Sequence, residues 1–225
     1  MKTRNPEITR NQILNVAERH FAIYGYAGTS LRAIIKEAKV NIAAVAYHYG
    51  DKEELFKAVI ERFAAPVVEE QLKQLQAAQA KWDPTESSKS GRPGSAGVPP
   101  ASENLRAVLK SFYLPPLKLV QSKGEAGKTL ALFLGRMQTE PEPVFSIVDR
   151  NFAQCRALFI DAFRKCLPDA TEAQLHWKFE FMLSLIVCFL TRQAEIRKRY
   201  ADNSEWIAEA AAEQMIGFCL SGFFF

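Results

Sequence analysis

Tyr47, His48 and Tyr49 stand side by side directly after a run of small residues, in the stretch VNIAAVAYHYGDKEELF (residues 40–56). A phenol and an imidazole can both donate hydrogen bonds to phosphate oxygens. The alanines before them have no chemistry of their own, but they let a large partner approach the backbone closely. An alanine methyl can also meet a thymine methyl in the major groove. With Val45 and Tyr49 turned into a core, Ala43, Ala44 and Ala46 point elsewhere, and Ile42 could join them. Asn41 is the one polar group placed to bond a base, or merely to cap the helix. Lys52 adds a charge where the next helix begins, beside amides that suit a phosphate. Each residue also has a plain reading: Tyr47 as a half-buried aromatic, His48 as a surface histidine, Lys52 as a solvated lysine. What favours the joint reading is that all three sit at the rims of one short helix.

Other chemistry finds little support. His48 with Asp51 or Glu53 could be imagined as a general base and its orienter. No nucleophile motif, metal cluster or glycine-rich phosphate loop accompanies them, so an enzyme is not expected. Cys155, Cys166, Cys188 and Cys219 form no CxxC pair and lie among apolar residues, which reads as buried thiols in a reducing compartment. His20, His48 and His176 give no metal-ligand spacing, so no metal or cofactor is expected.

The elements that position these residues are helical throughout. Ile13, Leu14, Ala17, Phe21 and Tyr24 recur at three- and four-residue steps, predicting a helix over 8–24 that Gly25 ends. Leu31, Ile34, Ile35 and Ala38 form a second stripe, opened by Thr29 or Ser30 as N-cap. The short helix of the YHY step follows, capped by Asn41. A fourth helix carries Leu55, Phe56, Val59 and Phe63, is kinked or restarted at Pro66, and runs on to about residue 80. Residues 83–102, DPTESSKSGRPGSAGVPPAS, have no aliphatic stripe and read as a disordered insertion. Beyond it come a helix that Pro115 and Pro116 should break, an apolar helix over 128–138, and one opened by Pro143 that ends near Leu167. A long helix then begins at Thr171 and Gln174, which have capping-box spacing, and a last one at Ser204. No segment alternates long enough for a strand. The expected fold is all-α with nine or ten helices: a small three-helix N-terminal domain over 8–65 and a larger helical domain over 66–225.

Composition agrees with a soluble domain: 48% hydrophobic and 24% charged residues. The longest apolar run, Phe181 to Leu190, is short of a membrane span, and no apolar signal core follows the first basic residues, so a cytoplasmic protein without membrane contact is expected. Of the net charge of +4, residues 1–65 carry +3, from 10 Lys or Arg against 7 Asp or Glu. A basic bias in the small domain suits a polyanion.

Helices two and three, joined by a turn of about three residues, have the spacing of a helix-turn-helix, whose second helix enters the major groove. Residues 9–63 resemble the N-terminal domain of the TetR family of transcriptional regulators. The resemblance is carried by Tyr24, Gly25 and Tyr26, by Thr29, by Tyr47, His48, Tyr49 and Gly50, and by Lys52, Glu53 and Leu55. It implies phosphate contacts from Thr29, Tyr47, His48 and Lys52, and base or groove contacts from Asn41, Ile42, Ala43, Ala44 and Ala46. Lys39 departs from the glycine usual in the family's turn. Residues 103–200 are similar, more loosely, to the C-terminal domain of a TetR subgroup, through EPEPVF and LHWKFEFMLSLI. The resemblance implies a homodimer that reads a pseudo-palindromic double-stranded DNA operator and acts as a repressor released by a small hydrophobic effector. Faces of 171–196 and 204–220 are the dimer candidates. Phe112, Phe133, Met137, Phe152, Phe159, Trp177 and Phe181 are the pocket candidates. The alternative is a helix-turn-helix protein-interaction module that does not bind DNA. Salt dependence separates the two.

Overall fold

The structure, a computed structural model, describes residues 6–82, 100–199 and 207–223. Among them are nine α-helices and no strand, as the helical periodicity predicts. They are α1 (Pro6–Gly28), α2 (Leu31–Ala38), α3 (Ile42–Tyr49), α4 (Lys52–Gln79), α5 (Pro100–Ser122), α6 (Glu125–Met137), α7 (Val144–Cys166), α8 (Glu172–Arg199) and α9 (Ala208–Phe223). Most of the expected insertion, and Ser204 as a helix start, lie outside the described residues. Pro100, at the first position of α5, falls inside the stretch read as a loop. A proline there loses only an N–H that has no helical partner anyway.

The chain divides into two compact units. The first comprises residues 1–66 and 124–151, and so takes in α6 and the start of α7 along with α1 to α3. Its core is aromatic. Phe21 meets Phe56 edge-on at 4.9 Å, and Phe133 of α6 lies 6.0 Å from Phe56 and 5.7 Å from Phe63. Ile13, Ala17, Ile34, Val45, Leu55 and Val59 complete it. Tyr24, expected in the buried stripe, is 56% exposed and leans on His20 at 5.5 Å. The reason is Gly25, whose φ of 71° and ψ of 179° break the helix just after Tyr24.

The second unit comprises residues 67–123 and 152–225. Its core holds Leu105, Leu109, Tyr113, Phe159, Phe163, Leu175, Met182 and Ile216. The buried Tyr113 hydroxyl ties three helices: it donates to the Met182 carbonyl of α8 (3.0 Å) and meets Cys219 Sγ of α9 (3.2 Å). Arg106 pairs with Glu213, and Lys118 with Glu209, along α5 and α9. The expected capping box opens α8. Thr171 N–H donates to Gln174 Oε1 (2.8 Å) and Gln174 N–H to Thr171 Oγ1 (3.3 Å).

Two expectations are corrected in this unit. Pro115 and Pro116 do not break their helix; α5 runs through both. Proline at 116 cannot donate to the Phe112 carbonyl four residues back, and a buried carbonyl without a partner is costly. Gln71 of α4 supplies the missing donor, its Nε2 reaching Phe112 O at 2.8 Å. Cys188, expected buried with the other thiols, is exposed on α8, while Cys155, Cys166 and Cys219 are buried. The same helix alters the membrane reading. Glu172–Arg192 has a mean hydropathy of 1.3 and is long and apolar enough to cross a membrane by length and composition, yet only 28% of it is buried within the chain.

Candidate nucleic-acid interface

The helix-turn-helix is built by local capping. Ser30 Oγ accepts from Ala33 N–H (3.1 Å), which fixes the start of α2. Lys39 ends it in the left-handed region (φ 50°, ψ 43°), and the N–H groups of Lys39 and Val40 return to the carbonyls of Lys36 and Ile35. Asn41 Oδ1 accepts from Ala44 N–H at 2.7 Å, so this residue does cap α3, leaving its amide N–H donors pointing away from that bond. Val45 and Tyr49 are buried, as the spacing predicts. The Tyr49 hydroxyl donates to the Arg10 carbonyl of α1 (2.9 Å), which locks the roll of α3 on its support. Burial pushes that phenol's pKa upward, against the opposing pull of Arg10.

With one face anchored, the other is presented. Ile42 is 68% exposed and Tyr47 82%; Asn41, Ala43 and Ala46 are also exposed, and Ala44 and His48 are half-buried. Nearly the whole outward face of α3 is therefore methyl groups and backbone, closed at its C-terminal end by the Tyr47 and His48 rings, 5.0 Å apart. Tyr47, His48, Tyr49 and Gly50 border a cleft of about 410 Å3 completed by Arg10, Glu54, Lys57 and Asn151.

Two of the expected phosphate contacts are placed differently. Thr29 is only 2% exposed, and its hydroxyl donates to the Gly25 carbonyl at 2.6 Å. It is spent on closing the α1–α2 turn and offers no surface donor. Lys52 is half-buried with Nζ over the Tyr26 ring, 4.4 Å from its centroid. Burial lowers the Lys52 pKa, and the charge of Glu140 opposes that shift. The start of α4 is also less inviting to an anion than its amides suggest. Asp51 Oδ1 already accepts from Glu54 N–H (2.9 Å), and Glu53 and Glu54 add negative charge. Sequence reasoning missed Arg10 and Glu140, and the contact of Tyr26 with Lys52. They lie far along the chain from α3, and no linear spacing connects them to it.

This geometry is a helix-turn-helix with an exposed second helix, and its relatives agree. Residues 13–59 match the family described as bacterial regulatory proteins, tetR family, and residues 110–222 match the tetracyclin repressor-like C-terminal domain. The second match alone covers just over half of the chain. The chain belongs to the TetR family. Among curated relatives, the HTH-type transcriptional repressor SCO4008 of Streptomyces coelicolor is 39% identical over 62 residues, 28% of this chain and 32% of that one. The HTH-type transcriptional repressor AcnR of Corynebacterium efficiens is 38% identical over 64 residues, 28% of this chain and 34% of that one. The chain thus spans about a third of the length of these relatives in the match. The fold is shared over nearly the full length with solved structures. A TetR-like regulator from Rhodococcus sp. RHA1 has a TM-score of 0.57 at 20% identity, covering 96% of each chain. AibR, in complex with isovaleryl coenzyme A and operator DNA, has 0.58 at 18% identity, covering 93% of this chain and 97% of that one.

In this TetR-family chain the seven pocket candidates divide between the two units. Phe112 and Phe159 meet edge-on in the second unit (5.2 Å), and Phe152 of the same unit is half-buried. Phe133 and Met137 are core residues of the first unit. Trp177 and Phe181 stack on each other at 5.8 Å and are 62% and 57% exposed on α8. Aromatic content alone could not separate these roles, because core, pocket and exposed face all draw on the same residue types. A polar cluster in the second unit was not foreseen either. Cys155 Sγ donates to Gln71 Oε1 at 3.8 Å, next to the Gln71–Phe112 bond.

Proposed function

We propose that this protein is a ligand-responsive transcriptional repressor that binds double-stranded operator DNA through α3. The observation that carries this is the exposed methyl face of α3, closed by Tyr47 and His48, on a helix whose opposite face is buried. Ile42, Ala43, Ala44 and Ala46 would meet base edges, Asn41 would donate from its free amide hydrogens, and Tyr47 and His48 would donate to phosphates. Lys52 would join once drawn from the Tyr26 ring. Thr29 is left out of this set because its hydroxyl is buried. The names of the SCO4008 and AcnR repressors and the operator complex of AibR support the reading.

The protein would act as a homodimer. Its partner face would be the outward side of α8, with Trp177 and Phe181, continued by Phe218 on α9, since apolar surface of this kind on a cytoplasmic protein calls for cover. Two copies would place two α3 helices about 34 Å apart, or a multiple of that, on a pseudo-palindrome. The division of labour would be a DNA-reading domain over 8–65 and an effector and dimerisation domain over 66–225. A small hydrophobic effector would bind in the second unit near Phe112 and Phe159, with Phe152 at its edge, and release DNA by favouring a second state. No catalysis and no membrane contact belong to this reading.

The test is selection of genomic fragments by the purified protein, with the region upstream of its own gene included. Enrichment of a palindrome, with affinity falling steeply as salt rises, supports an operator-binding dimer. Absence of any selected fragment at low salt sinks the reading in favour of a protein-interaction module.

A further inference from the structure

We propose that Glu140, in the segment between α6 and α7, sets the DNA affinity of this protein by competing with DNA phosphate for Lys52. The proposal rests on the DNA-binding reading above. Its basis is a cluster within the first unit. Gly25 has no side chain, and a Cβ there would collide with Glu140 Oε1 and come within 3.0 Å of Arg136 Nη1. The bare Cα of Gly25 is thus what admits the carboxylate to this seat. The next residue, Tyr26, carries the Lys52 ammonium on its ring at 4.4 Å. An ammonium and a carboxylate are therefore held against neighbouring residues of α1, and the Glu140 charge acts on Lys52.

Lys52 begins α4, three residues after Tyr49 ends α3, so it stands beside the edge where a DNA strand passing Tyr47 would run. To reach a phosphate it must leave the Tyr26 ring and the field of Glu140. The carboxylate resists this in two ways: it attracts the lysine and repels the phosphate. Arg136 shares the seat and partly offsets Glu140, so neutralising Glu140 leaves a net positive group beside the DNA. Glu140 lies outside the helix-turn-helix, on the segment that follows α6. Packing of α6 on α1, with Phe133 of α6 set against Phe56 and Phe63 of α4, fixes where the carboxylate falls. Glu140 is a positioning residue for a DNA-contacting lysine, not itself a DNA contact.

The experiment measures binding of the full-length protein to a fluorescent duplex of a selected genomic fragment, by anisotropy, over a salt series. Four proteins are compared: wild type, Glu140→Gln, Lys52→Met and the double variant. Glu140→Gln is expected to tighten binding about two- to fivefold per DNA-binding unit at low salt, the range of an exposed charge pair. The gain should shrink as salt rises and be markedly smaller in the Lys52→Met background, where only the direct repulsion of phosphate is removed. No tightening while wild type binds the duplex overturns the proposal. So does equal tightening with and without Lys52, which would mark general charge repulsion. Failure of wild type to bind any duplex overturns both this proposal and the reading beneath it.

Discussion

Gln71 offers the sharpest test of how α5 survives two prolines. Its side chain is 5% exposed, and its Nε2 donates to the Phe112 carbonyl that Pro116 cannot serve. Gln71→Leu keeps the bulk but leaves that carbonyl buried without a donor, which costs about 1–3 kcal/mol. The thiol contact from Cys155 is long, at 3.8 Å, and adds little. Pro116→Ala returns an N–H to position 116, and the Phe112 carbonyl regains its helical partner. The cost of Gln71→Leu should then fall by about 1 kcal/mol or more in the Pro116→Ala background, a coupling that a double-mutant cycle measures directly. Urea unfolding of the four proteins, followed by far-UV circular dichroism, gives the free energies. Equal costs in both backgrounds refute the reasoning, because Gln71 would then matter for packing and not for the orphaned carbonyl.

Lys39→Gly should stabilise the protein by about 0.5–1 kcal/mol, since relief of the left-handed strain exceeds the extra chain entropy glycine brings to the unfolded state; urea midpoints check it. Tyr47→Ala should weaken binding to every duplex about tenfold, the loss of one hydrogen bond to a charged group, with folding unchanged; a loss confined to one base position in a panel of mutated operators contradicts a phosphate role. The Cys155 thiol is pushed up by burial to about 11 from an ordinary 9.0. Its proton is therefore held more tightly in the folded state, and the stability this contributes is present below pH 9 and lost as pH rises from about 9 to 11, by roughly 3 kcal/mol. Cys155→Ala should flatten that part of the stability profile. Phe181→Glu, on an exposed position, should leave the helix content intact and shift sedimentation from dimer to monomer.

What could be read from the sequence was local. Caps, helix stripes and the inward pair Val45 and Tyr49 depend on neighbours three or four residues away, so Asn41, Thr171 and Gln174 took the roles their spacing predicts. What could not be read was fixed by distant partners. Thr29 lost its surface role to a carbonyl four residues back because the Gly25 break turns that carbonyl toward it. The proline pair was misread because its compensation, Gln71, lies on another helix. The Glu140 seat depends on the absence of a side chain at Gly25, which no pattern of residues announces.

Helix α8 shows how one sequence signal can conceal two physical demands. Its composition over Glu172–Arg192 would suffice for a membrane span, yet it carries Glu172, Lys178, Glu180 and Arg192. Charges at such positions are costly in hydrocarbon and harmless at a protein surface. Leu175, Phe179, Met182, Ile186 and Leu190 face the core of the second unit, which accounts for one apolar stripe. The surplus comes from a second stripe, Trp177 and Phe181, that the chain itself leaves exposed. A helix apolar on two faces, with Lys178 and Glu180 at the seams between them and Glu172 and Arg192 at the ends of the segment, has the chemistry of an element clamped between its own domain and another protein surface. This is why Trp177 and Phe181, exposed on α8, are proposed for the contact between two copies.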